Sequence, residues 1–379
     1  MARDVNRYLS SQQAKAPNND IAREWAILEE LYTKRLWHQV TLKVQELVKS
    51  SYLQEGTALI DLYENFLAEI ENKINPLSLV EIIIFVVKKI TDYDKCLDFL
   101  GKTKEKVKEN TMAIILCNII IGQIKLNHGD LEGVKKLVEE TEEMIESLDG
   151  ITTVHGRFYQ LCSDYHRVKK NYACYYRDAL RFLGCTELET IPLEEQKARA
   201  YTLSLAALLG EGVYNFGELL AHPILESLQG RDKNWIVDLL HAFNSGSLVR
   251  YEELRPYWKN EPNLKDHEVS LREKINLLCL MEMTFKRPGN HRILTFSEIA
   301  ANAKIPEDQV ELLVMKALSL GLVKGSIDGV DKKVHMHWVQ PRVLDKQQIA
   351  SMKQQLERWC REVKSTENLL QAEARDILT

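Results

Sequence analysis

The residues of this 379-residue chain best spaced for chemistry are His335 and His337. Alternate positions on an extended strand share a face, so both imidazoles could reach one ion. Two ligands without a third or fourth leave zinc incompletely held, however. The metal-dependent isopeptidase pattern, H-x-H followed by seven residues, Ser, two residues and Asp, also fails, because Asp345 stands where Ser belongs and Gln348 where Asp does. The pair reads as hydrogen-bonded or solvent-facing. Gly212 and Gly217 have the first spacing of a phosphate loop, but Glu218 and Leu219 occupy the places of its Lys and its Ser or Thr, so they read as closely packed helix ends. Seven cysteines, at 96, 117, 162, 174, 185, 279 and 360, include no C-x-x-C and are odd in number. That usage fits buried or reduced thiols in a cytoplasmic or nuclear protein and argues against zinc and disulfide frameworks. Glu139, Glu140, Glu142 and Glu143 lie among Lys135 and Lys136, and "KTKEKVK" at 102–108 mixes signs in the same way, as solvated helix faces do. With no G-x-S-x-G or H-E-x-x-H, the chain is expected to have no active site, no metal and no cofactor.

The histidines close a stretch with strong element signals. Thr295 and Glu298 form a capping box that starts a short helix. Pro306 opens a second helix at its first turn, Val310, Leu313, Val314 and Ala317 give it one apolar face, and Gly321 ends it. Two extended runs follow: Val323 and Ile327 among polar residues, then Val334, Met336 and Trp338 alternating with Lys333, His335 and His337, with Asp328-Gly329 as turn. Helix, helix and hairpin predict a winged helix at about 271–340. Its second helix shows Asp308, Glu311, Leu312, Met315 and Ser319 outward, and residues 295–340 carry five lysines against six acids, a net charge of about −1. Reading DNA needs Arg, Lys, Asn or Gln on that face and a basic footprint, so docking of protein is the better use of this module.

Around that module the chain reads as helices. From about Ile21 to Asn290 nearly every segment has the 3.6 period, and breaks at Asp92, Gly129 and Asn171 recur at the spacing of helix pairs in an α-solenoid. From about Glu194 glycines punctuate a tighter helical unit. From Asp345 to the end there is no Pro or Gly, and Ile349, Met352, Leu356, Trp359, Val363, Leu370 and Ile377 fall on alternating steps of three and four, the seam of a helix that packs in a bundle. The first twenty residues are polar and resemble no signal or transit peptide. The longest apolar runs are too short to span a bilayer, and a net charge of −5 supplies no basic field for nucleic acid or membrane.

Helical repeats leading into a winged helix are the layout of PCI-domain proteins, the scaffolding subunits shared by the proteasome lid, the signalosome and a translation initiation factor. "INPLSLVEII", "YYRDALRFLGC", "LLGEGVYNFGELLAHPILESL", "VELLVMKALSLGLVKGSID" and "WVQPRVLD" resemble the lid members most. The resemblance implies a mostly α fold: a polar N-terminal tail (1–20), an α-solenoid of TPR-like helix pairs (21–193), a PCI domain ending in the winged helix (194–340) and a C-terminal bundle helix (345–379). It implies a non-catalytic structural subunit that scaffolds the proteasome regulatory particle for ubiquitin-dependent protein degradation. Its partners would be other lid subunits, namely a neighbouring PCI subunit and the deubiquitinase pair, with the ubiquitin receptor nearby. Val323, Ile327, Val334 and Met336 would then form the winged-helix contact and the 349–377 seam the bundle contact. A PCI scaffold of the signalosome or of the initiation factor, or a winged-helix nucleic-acid binder, stays open at this point.

Overall fold

The computed structural model describes residues 5–16, 18–50, 52–54, 56–228, 230, 233–287, 292–344 and 346–373. The chain forms two compact units, Met1–Lys170 with Arg181–Thr186, and Asn171–Leu180 with Glu187–Thr379. The second unit thus begins ahead of Glu194, where the sequence changes character.

The first unit is built of α1 (Val5–Lys15), α2 (Asn19–Thr33), α3 (Trp37–Lys49), α4 (Ala58–Leu62), α5 (Ala68–Ile70), α6 (Pro76–Val87), α7 (Tyr93–Lys106), α8 (Thr111–Asn127), α9 (Leu131–Glu146) and α10 (Thr153–Val168). The sequence places the stops. Asp92 caps α7, accepting from the Asp94 N–H at 3.2 Å. Gly129 takes a φ of +83° between α8 and α9, a conformation that costs a residue with a Cβ. The Asn171 side chain accepts from the Cys174 N–H at 3.3 Å to start the next helix, α11 (Tyr172–Cys185). All three breaks therefore lie at helix junctions. The reading of residues 1–20 as a polar tail is corrected over 5–15: α1 is a helix whose Val5 and Leu9, one turn apart, are buried, and Tyr8 meets Trp25 of α2 edge-on at 6.4 Å. Two apolar residues at one-turn spacing suffice to dock a short helix, because burying each contributes about 1.5–3 kcal/mol.

The second unit holds α12 (Leu193–Leu209), α13 (Gly217–Ala221), α14 (Trp235–Asn244), α15 (Leu248–Glu253), α16 (Arg255–Trp258), α17 (Pro262–Lys265) and α18 (Glu268–Lys286). After these come β1 (Ile293–Thr295), α19 (Phe296–Ala303), α20 (Val310–Ser319), β2 (Val323–Asp328), β3 (Lys333–Val339) and α21 (Lys346–Glu373). Gly246, between α14 and α15, has a φ of +62°, and a Cβ there would stand 2.6 Å from the Cys279 Cα of α18, so both its freedom and its size are used. Gly217 at the start of α13 packs against Val343 in the same manner, which makes it a packed helix end rather than part of a phosphate loop.

One buried cation ties α18 to α12. The Lys274 ammonium donates to the carbonyls of Ala207 at 2.7 Å, Leu208 at 3.0 Å and Gly210 at 2.8 Å, orphan acceptors at the C-terminal end of α12. Burial draws its pKa down to about 7. The three carbonyls, placed to receive three N–H donors that only the ammonium has, work to keep the proton on. Lys274→Met keeps most of the volume and removes every donor. We expect the variant to lose about 2 kcal/mol, since buried acceptors left unpaired cost roughly 1–3 kcal/mol, read as an earlier urea midpoint. An unchanged midpoint would mean that the end of α12 is served by other groups.

Candidate functional site

The module that carries the chemistry-bearing residues is a winged helix built on α18, α19, α20 and a three-stranded antiparallel sheet of order β1-β3-β2. The Thr295–Glu298 capping box closes as its residue types require: the Glu298 N–H donates to Thr295 Oγ1 at 3.3 Å, and the Thr295 N–H donates to Glu298 Oε2 at 3.1 Å. That N–H first, and the Arg287 guanidinium after it, hold the Glu298 carboxyl below its usual pKa. A single 3-10 turn, Glu307–Gln309, follows Pro306 before α20 begins, and Gly321 ends the helix with a φ of +68°. In the wing the Asp328 carboxylate accepts from the Val330 and Asp331 N–H groups, both at 3.0 Å, and Lys332 rather than Gly329 takes the left-handed conformation.

The register of the sheet decides what each wing residue can do. Met336 donates its N–H to the Arg292 carbonyl on the β1 side, and Ser326 stands opposite His335. Successive residues of a strand turn their backbone groups to opposite sides, so Ile327 and Gly325 present theirs to the free edge of β2. A bulge between Lys324 and Gly325 brings the Gly325 backbone so near β3 that a Cβ would lie 2.2 Å from the His335 carbonyl oxygen. Sequence reading missed β1, and the sheet is not the two-stranded one that a helix-helix-hairpin pattern gives: β3 is its centre.

This geometry corrects the side-chain contact expected of the wing. Val323, Val334 and Met336 are buried in the module's own core together with Leu294, Ile299 and Val314, and Ile327 is half-buried on the same face. Apolar positions that alternate with polar ones in a strand mark the inward face, so these side chains are not free to meet a partner. What β2 offers is backbone. His335 is half-buried and His337 exposed, and among the described residues no three His, Cys, Asp or Glu side chains are grouped to hold a metal ion.

Among the described residues, apolar rows on α20 and α21 are left uncovered. On α20, Leu312 is 68% exposed and Met315 53%, one turn apart and flanked by the exposed acids Asp308 and Glu311. On α21, a helix of 28 residues, Ile349, Met352, Leu356, Trp359, Val363 and Leu370 are all exposed, Trp359 to 64%. Ile377 lies outside the described residues. The root of α21 is fixed: the buried Arg342 guanidinium pairs with Glu282 of α18 and donates to the Asn244 carbonyl at 3.0 Å. Beside it, the Val343 N–H donates to Asn215 Oδ1 at 3.4 Å. The Arg342 strap had no local signal in the sequence, since Glu282 stands 60 positions away.

A family described as PSD13 N-terminal repeats matches residues 24–240, and the PCI domain family matches 252–338. A 26S proteasome non-ATPase regulatory subunit 13 homolog of Arabidopsis thaliana (homolog B) is 37% identical over 98% of both chains. The chain belongs to the 26S proteasome non-ATPase regulatory subunit 13 family. Members from Dictyostelium discoideum, at 38% identity over 93% of each chain, and from Saccharomyces cerevisiae, where the protein is named 26S proteasome regulatory subunit RPN9, at 34% over 92% of each, extend the match along the same length. For a subunit 13 family member the distinction between core and surface in this module has a measurable form. Met336→Ala should destabilise the chain by about 2–4 kcal/mol, the cost of emptying a packed site. Leu356→Ser with Trp359→Ser should leave the isolated chain's melting temperature unchanged. A large fall in the double variant would show that α21 packs back on its own chain.

Proposed function

We propose that this chain is a non-catalytic structural subunit of the proteasome regulatory particle lid, scaffolding its assembly for ubiquitin-dependent protein degradation. The observation that carries the reading is the exposed seam of α21. One helix cannot cover its own seam, and a row of this length in water is a docking surface for other helices. The printed names of its relatives are those of proteasome regulatory subunits, which makes other subunits of that particle the natural source of the covering helices.

The free edge of β2 is the second contact in this proposal. A neighbouring PCI subunit adds its own strand to that edge by backbone hydrogen bonding. The deubiquitinase pair, with the ubiquitin receptor nearby, completes the proposed neighbourhood. The outward face of α20 carries Glu311, with Asp308 in the turn before it, and the one lysine of the helix, Lys316, is paired with Glu273 at 2.6 Å, which disfavours phosphate and supports a protein partner. No helix among the described residues is long and apolar enough to cross a membrane, and all seven cysteines are free thiols, in keeping with work in the cytoplasm and nucleus.

Two variants test the proposal in cells. Leu356→Ser with Trp359→Ser should reduce incorporation into the large complex by at least about tenfold, since two side chains of this kind lose roughly 1.5–3 kcal/mol each of burial. Ordinary incorporation would sink the bundle reading. Ile327→Pro removes one donor from the free edge without touching the β2–β3 ladder, so it should weaken capture of the adjacent PCI subunit, whereas Ile327→Ala, which also gives up the half-buried side chain but keeps the N–H, should not. Capture at the wild-type level by a normally folded Ile327→Pro chain would take the wing out of the interface.

A further inference from the structure

We propose that a groove in the first unit is a docking site for an extended, acidic and apolar peptide segment of another polypeptide. Five helices line it, α3, α6, α7, α8 and α10, around a cavity of about 800 Å³. Its floor is apolar: Ile84, Phe85, Ile120 and Ile124 are all half-buried, neither sealed into the core nor fully solvated.

Side-chain amides line the same groove at Gln45, Gln123, Asn127 and Gln160; Gln45 donates to Glu81 and Gln123 to Asn127 Oδ1 at 3.5 Å, which leaves the Gln160 amide and the second groups of the other three for a ligand. An amide carries both donors and an acceptor, which is what a peptide backbone needs when its own N–H and C=O groups are unpaired. A helical ligand has those groups satisfied internally and would leave the amides idle, so their presence selects an extended one. A segment lying across the floor would alternate its side chains, placing every second one on the apolar surface.

The charges choose the flanks of that segment. Both oxygens of Glu81 are engaged, one accepting from Gln45 Nε2 at 3.1 Å and the other facing Arg157 Nη2 at 3.6 Å, and Asp164 pairs with Arg167 at 3.1 Å. Lys49 and Lys88, at the ends of α3 and α6, are exposed and form no ion pair among the described residues. The available charge of the groove is therefore positive at that edge, and carboxylates of the ligand fit it.

The probe is a fluorescein-labelled peptide, Asp-Glu-Leu-Phe-Leu-Ser-Gly, titrated against the full chain by anisotropy, with Lys-Lys-Leu-Phe-Leu-Ser-Gly as its charge-swapped counterpart. The acidic peptide should bind saturably and about tenfold more tightly than the basic one, with a preference that fades as salt is raised. Lys49→Glu with Lys88→Glu changes only exposed side chains and should reverse the preference at an unchanged melting temperature. Phe85→Ala should weaken both peptides by a similar factor. No saturable binding below about 1 mM, equal affinity for the two peptides, an unreversed preference in the double variant, or tighter binding of a single-stranded oligonucleotide than of the acidic peptide would each overturn the proposal. Winged-helix and α21 variants should bind the peptide normally, so this proposal and the assembly reading fail separately.

Discussion

An amphipathic helix stays folded in water only where something covers its apolar face, and that requirement runs through this chain from Val5 to Leu370. In the first unit neighbouring helices cover one another, α3 with α6, α6 with α8 and α8 with α10 among them, down to α1, which packs through Val5, Tyr8 and Leu9. In the winged helix the sheet covers α19 and α20 from one side, and α18 supplies the rest of the core. Among the described residues nothing covers the apolar row of α21. The same physical rule that folds the other helices therefore makes that row the exception, and the proposed function rests on it.

The polar interactions that matter lie where this hydrophobic scheme would leave backbone groups stranded. Lys274 serves the carbonyls at the end of α12, the Thr295–Glu298 pair serves the first turn of α19, and Arg342 holds the chain as it leaves β3. None of them is arranged to move a proton or hold a substrate. Each fills donor or acceptor positions that an apolar core cannot fill, which suits a part whose work is to keep its surfaces in place.

Much of this was legible in the sequence because its signals are local. The capping box, Gly321, the breaks at Asp92, Gly129 and Asn171, and the steps of three and four in α21 each need only a few neighbouring residues to read. What was not legible depends on distant partners or on very short elements. Strand β1 has three residues, too few for alternation to show, yet it turns a hairpin into a sheet with β3 at its centre. Lys274 sits in an apolar helix and its carbonyls lie more than sixty residues earlier. The wing differs in kind. The alternation of Val323, Val334 and Met336 is plain in the sequence, yet it marks the face that a half-buried strand turns inward, not a docking face. The signal to use was the polar partner at every second position.

The strap at Arg342 has one more consequence. Because the start of α21 is pinned to α18 and α14, the seam is not a free tail but a ligand tethered a few residues from the β2 module. In the proposed assembly, once the free edge has paired with a strand the second encounter is intramolecular, and a short tether sets its effective concentration near the millimolar range. The two proposed contacts then reinforce each other, and one of them opening does not release the subunit. Such an assembly gains a way to correct a wrong neighbour before the bundle closes.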